Sequence, residues 1–88
     1  MKLSKEKRDK IAEQALSVLF HIYPHSRFTA ELARELARDE EFIKSILLYL
    51  KEQSLVVLIK QNSEGVFYSR RQRWRLSNKA YQAYKEQI

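Results

Sequence analysis

Between Phe28 and Val57, apolar residues recur with a period that fits two helices separated by a bend. Leu32, Ala33, Leu36 and Ala37 mark one stripe, and Ile43, Ile46, Leu47 and Leu50 mark a second. Each has the three-and-four spacing that gathers side chains on one face of an α-helix. Arg38-Asp39-Glu40 lies between them, too short and too polar for anything but a turn. Helices joined this closely share a core only by crossing steeply, so the pattern predicts a helix-turn-helix with helices over 30–37 and 40–53. Thr29 stands as N-cap of the first, its hydroxyl placed to accept from a free backbone N–H, and its replacement by alanine is expected to cost about 1 kcal/mol. Asp39 caps the second, with Glu40 and Glu41 in a first turn whose positive end favours acids.

Upstream, Ile11, Ala12, Ala15, Leu16, Leu19 and Phe20 form another helical stripe. It predicts a helix over 4–23, starting at a Ser4 N-cap and ended by Pro24, which pushes its predecessor out of the helical region. Arg27-Phe28 has room for a very short strand. Downstream the period changes. Leu55-Val56-Val57-Leu58-Ile59 is rich in β-branched residues and too short for a helix, giving a strand over 55–61. Asn62-Ser63-Glu64-Gly65 is turn chemistry, and a returning strand is expected over 66–76. A four-residue turn would put Leu55, Val57 and Ile59 on one face with Tyr68, Arg70, Trp74 and Leu76. Val56 and Leu58 would share the other face with Phe67, Ser69, Arg71 and Arg73. Ser77 or Asn78 then caps a last helix over 78–87, where Ala80, Tyr81, Tyr84 and Ile88 keep helical spacing. The expected fold class is mainly α with a small β-hairpin, in one domain over 1–88.

Composition narrows the chemistry. With no cysteine, disulfides, cysteine-ligated zinc and thiol catalysis are excluded. One glycine and one proline leave no phosphate-cradling glycine loop. There is no apolar run long enough to span a bilayer or form a signal-peptide core, so no membrane role and a cytoplasmic location are expected. Net charge is +6 with pI about 9.7, which favours a polyanionic partner. The charge is uneven: residues 1–28 carry +3, residues 29–53 carry −2, and residues 54–88 carry +5.

The order helix, helix, helix, two-stranded hairpin, helix resembles the winged helix-turn-helix domains of prokaryotic transcription regulators, including the MarR-like group. Three places carry the likeness: Thr29-Ala30-Glu31-Leu32-Ala33 opening the second helix; Leu47, Leu50, Leu55 and Val56 around the exit of the third; and Trp74-Arg75-Leu76-Ser77-Asn78-Lys79 at the end of the wing. The resemblance implies a three-helix core, a two-stranded wing and a C-terminal helix. It implies double-stranded DNA as partner, the third helix in the major groove, and the hairpin along phosphates or the minor groove. Carried over by position, the groove-facing candidates are Lys44, Ser45, Leu48 and Tyr49, and the wing candidates are Arg70, Arg71 and Arg73. The chain departs from the pattern at Glu41 and Glu52, acids on the outward face of the third helix. It departs again at Val57-Leu58-Ile59, where the apolar run continues.

Among the candidate residues, the wing arginines carry the strongest signal. Alternation puts Arg71, Arg73 and Arg75 in a row on one strand face, where guanidinium forks suit phosphate oxygens and like charges repel until an anion neutralises them. The blander reading is an edge strand kept soluble by charge. Lys5, Lys7, Arg8 and Lys10 more often mean a soluble helix start than a phosphate contact. Leu48 is most simply a scattered surface leucine. His21 and His25 are broken apart by Pro24 and lack a third ligand, so no metal and no cofactor are expected. No nucleophile, base and orienting group come together, so no enzyme is expected. A homodimer is anticipated, because one small wing-and-helix surface reads few base pairs. The alternative is a protein-interaction module that docks through the acidic third helix and the apolar hairpin face.

Overall fold

The computed structural model describes residues 4–59 and 72–87. Helix α1 spans Lys5–Ile22, strand β1 Arg27–Phe28, helix α2 Thr29–Glu35, helix α3 Glu40–Glu52, strand β2 Val56–Ile59, strand β3 Arg73–Leu76 and helix α4 Asn78–Glu86. The strands form one antiparallel sheet in the order β1-β3-β2. This is the mainly helical, three-helix-and-wing architecture that the apolar spacing predicts, with Arg27-Phe28 making the hairpin a three-stranded sheet.

The helix starts follow from their caps. Ser4 Oγ accepts from Lys7 N–H at 3.3 Å, Asp39 Oδ2 from Phe42 N–H at 3.2 Å, and Ser77 Oγ from Ala80 N–H at 3.0 Å. Each satisfies a first-turn donor that no carbonyl inside the helix can reach. The start of α2 departs from expectation. Phe28 is its N-cap and Thr29 its first residue; Glu31 Oε1 reaches back to accept from Phe28 N–H at 2.8 Å. The Thr29 hydroxyl is engaged elsewhere, accepting from the indole Nε1–H of Trp74 at 2.8 Å and lying 3.4 Å from the Gln72 carbonyl, to which it donates. An indole N–H buried without an acceptor is costly, and that need outweighs capping.

The exits of α2 and α3 both pass through a left-handed residue, and the first corrects the sequence reading. Helix α2 stops at Glu35, and Ala37, expected on its apolar face, is exposed with φ 54°. Ala37 N–H donates to Arg34 O at 3.2 Å and Arg38 N–H to Ala33 O at 2.9 Å. Helix α3 ends identically: Ser54 has φ 63°, its N–H donates to Lys51 O at 3.0 Å, and Leu55 N–H donates to Leu50 O at 3.0 Å. These nested bonds close a helix through one left-handed residue, a position that favours glycine. The chain's single glycine is Gly65, so alanine and serine occupy these positions instead.

The core gathers the inward stripes of all the helices. Leu19, Leu32, Ile43, Leu47, Trp74 and Leu76 are fully buried, with Ile11, Leu16, Ile46, Leu50 and Val56 packed around them. The sheet pairs Val56 with Leu76, Val57 with Arg75, Leu58 with Trp74 and Ile59 with Arg73. Opposite residues share a face. Val56, Leu58, Trp74 and Leu76 therefore line the core side, while Val57, Ile59, Arg73 and Arg75 lie outside. The expected grouping of Val57 and Ile59 with Trp74 and Leu76 is reversed. A four-residue turn would set Ile59 opposite position 68, whereas its partner is 73, and an odd displacement turns every side chain over. At the other end, Phe20, Tyr23, Tyr81 and Tyr84 join α1 to α4. The Tyr23 and Tyr81 rings stack at 3.9 Å and 8°, and the Tyr23 hydroxyl donates to Asn78 Oδ1. Burial, and then the Glu13 carboxylate, push the Tyr84 phenol above its ordinary pKa.

Candidate nucleic-acid interface

Helix α3 buries Ile43, Ile46, Leu47 and Leu50, half-buries Phe42 and Lys44, and leaves its central outward face exposed. At 100° per residue, Glu41, Ser45, Leu48 and Glu52 form the central outward stripe. All four are exposed along the helix, with Leu48 at 41%. Lys44 and Lys51 occupy one border of that stripe, Lys44 half-buried and Lys51 exposed. Tyr49 occupies the opposite border, 48% exposed. Ser45 Oγ donates to Phe42 O at 2.6 Å, so in this rotamer its oxygen faces a partner as an acceptor. Lys44, Ser45, Leu48 and Tyr49 therefore stand together on a single helix surface.

The wing candidates divide differently. Arg70 and Arg71 lie outside the described residues, as do Phe67, Tyr68 and the expected turn at 62–65. Arg73 sits on the outer sheet face, its guanidinium carbon 5.7 Å from the centre of the Phe28 ring, close enough for cation–π attraction. Arg75 shares that face, and its Nη1 donates to Leu76 O at 2.9 Å. Alternation along β3 thus places Arg73 and Arg75 side by side, interleaved with the buried Trp74 and Leu76. The outer face of the hairpin, expected to be apolar, is mixed: the half-buried Val57 and Ile59 lie across from two arginines.

Sequence reasoning missed how the basic start of α1 is divided by its packing. Lys5 and Arg8 line a groove with Tyr49 of α3, whereas Lys7 and Lys10 line a separate cleft with Arg38. Spacing carries part of that signal, since residues three apart share a helix face. Which neighbour they meet depends on where α1 crosses α3. Away from this surface, the Nδ1 of His21 lies 2.7 Å from Ser17 O on its own helix. No group of three or more metal-ligating side chains occurs among the described residues. No helix among them is long and apolar enough to cross a membrane.

Two helices joined by a short turn, the second with its outward face exposed, followed by a β-ribbon and a closing helix, define a winged helix-turn-helix fold. Solved structures agree. The chain is similar to the zinc-responsive MarR family member ZitR of Lactococcus lactis at 23% identity and TM-score 0.67, over 99% of this chain and 52% of that one. It is similar to MepR of S. aureus, determined in a DNA complex, at 17% identity and TM-score 0.70, over 92% of this chain and 66% of that one. It is also similar to a possible transcriptional regulatory protein of Mycobacterium bovis, a fragment, at 15% identity and TM-score 0.59, over 99% of this chain and 92% of that one. The chain therefore spans about half to two-thirds of the length of ZitR and MepR. No protein-family profile and no curated protein sequence matches it.

Proposed function

We propose that the protein binds double-stranded DNA and acts in transcriptional control, with α3 in the major groove and the wing arginines on phosphates or in the minor groove. The observation that carries this reading is the uncovered outward surface of α3, where Lys44, Ser45, Leu48 and Tyr49 stand together. A major groove admits one helix, and the exposed face runs the length of α3. The MarR-like fold, and the determination of MepR in a complex with DNA, support the DNA-binding reading. Arg70, Arg71 and Arg73 supply affinity without sequence information, since phosphate contacts orient and base contacts specify. Salt-titrated binding to random duplexes, followed by sequence selection, tests it. Affinity is expected to fall steeply with salt, and Arg71→Glu combined with Arg73→Glu to abolish binding while the far-ultraviolet circular dichroism is retained. Duplex affinity that is absent even at low salt refutes the proposal.

A homodimer is part of this reading, because paired recognition helices lengthen the site that is read. The partly exposed Phe20, Tyr81 and Tyr84 between α1 and α4 are the supporting surface, and sedimentation equilibrium measures it. One observation favours the alternative of a protein-docking module: Leu48 and Tyr49 are adjacent, exposed and flanked by Glu41 and Glu52. Retention of a partner protein by a wild type that ignores duplex DNA, and its loss on Leu48→Asp, would decide for it.

A further inference from the structure

We infer that the first two turns of α1 form a second phosphate-binding rail beside α3, so that a DNA duplex is held at both borders of the α3 outward face. The inference rests on the duplex-binding reading above and assigns a role to Lys5 and Arg8. Around α3, the acids Glu41 and Glu52 lie at the centre of the outward stripe and Lys44 and Lys51 along one border. The start of α1 lies along the opposite border. There Lys5, Arg8, Asp9 and Ala12 face Ile46 and Tyr49 across a shallow groove of about 280 Å³. Lys5 and Arg8 are both exposed, and their spacing of three puts them on one side of α1. The Asp9 carboxylate lines the same groove and offsets one of the two positive charges.

This arrangement accommodates the acidic character of the helix-turn-helix segment. A helix in a major groove meets base edges with its central stripe and phosphates with its borders, because the two sugar-phosphate backbones form the groove walls. Acids at the centre then face the cytosine N4 amino groups, which carboxylates accept from. Cations belong at the edges. One edge has them on α3 itself, at Lys44 and Lys51; at the other edge α3 presents Phe42 and Tyr49, and α1 brings Lys5 and Arg8 alongside. The charge that the third helix lacks is thus supplied by a helix distant in sequence.

Fluorescence anisotropy of the full chain on short random duplexes, titrated between about 50 and 200 mM salt, tests the rail through counterion release. Each phosphate that a side chain no longer neutralises makes the slope of log K against log salt shallower by about 0.9, so Lys5→Gln with Arg8→Gln, beside the offsetting Asp9, is expected to make it shallower by about 1–2. Lys79→Gln with Lys85→Gln, which removes the same charge from α4, is expected to leave the slope close to wild type. Circular dichroism melting confirms that both variants fold. A slope in the α1 variant equal to wild type, or a shallowing of the same size in the α4 variant, overturns the rail while leaving duplex binding intact. A wild type without duplex affinity overturns both.

Discussion

Ala37 and Ser54 occupy the left-handed position at the ends of α2 and α3, where a Cβ crowds the following carbonyl and costs roughly 1–2 kcal/mol. Neither side chain is needed for the closing hydrogen bonds, which are all main-chain. Ala37→Gly and Ser54→Gly are therefore each expected to raise stability by about 1 kcal/mol, part of the relief being offset by the freer unfolded chain. Urea denaturation measures it, and a loss of stability in either variant contradicts the assignment. Thr29 makes the opposite case. Thr29→Val keeps its shape but deprives the buried Trp74 indole of its acceptor, at a cost of about 1–3 kcal/mol, while Thr29→Ser keeps the bond. Trp74 is the only tryptophan, so its fluorescence follows both unfolding curves directly. Equal stability of the valine and serine variants would show that the hydrogen bond does not contribute.

At the scale of elements, what was legible in the sequence was whatever depends on local period. The stripes of α1 and α3, the caps at Ser4, Asp39 and Ser77, and the change from helical to strand character after Gln53 are each set within a few residues. The facing of β2 against β3 was not legible, because it depends on where the chain turns back, and an odd shift in pairing reverses every side chain. Thr29 was misread for a related reason. A threonine before a helical stripe looks like a cap until a partner 45 residues away claims its hydroxyl. The contact of α1 with α4 has a pH signature. Burial and Glu13 raise the Tyr84 pKa, so the folded state holds that proton more tightly than the unfolded chain. The stabilising difference is complete below the ordinary value of 10.0 and is lost as pH rises through the higher folded value. Tyr84→Phe is expected to flatten the alkaline part of the stability profile relative to wild type; two profiles falling in parallel above about pH 10 would show that Tyr84 does not contribute.

Across the whole molecule, the proposed duplex binding asks how a chain of net charge +6 would present a helix-turn-helix segment of net charge −2 to a polyanion. The structure separates the signs by position: acids along the middle of the α3 outward face, lysines along one edge of it, and the basic start of α1 along the other. Arg73 and Arg75 add positive charge on the outer sheet face. The direct test is a titration of duplex DNA into the isotopically labelled chain, followed by amide chemical shifts. The largest changes are expected over Lys44, Ser45, Leu48 and Tyr49, smaller ones at Lys5, Arg8, Arg73 and Arg75, and little change around Phe20 and Tyr81. Changes confined to the Phe20–Tyr81 end of the molecule, with α3 unmoved, would contradict DNA binding through α3.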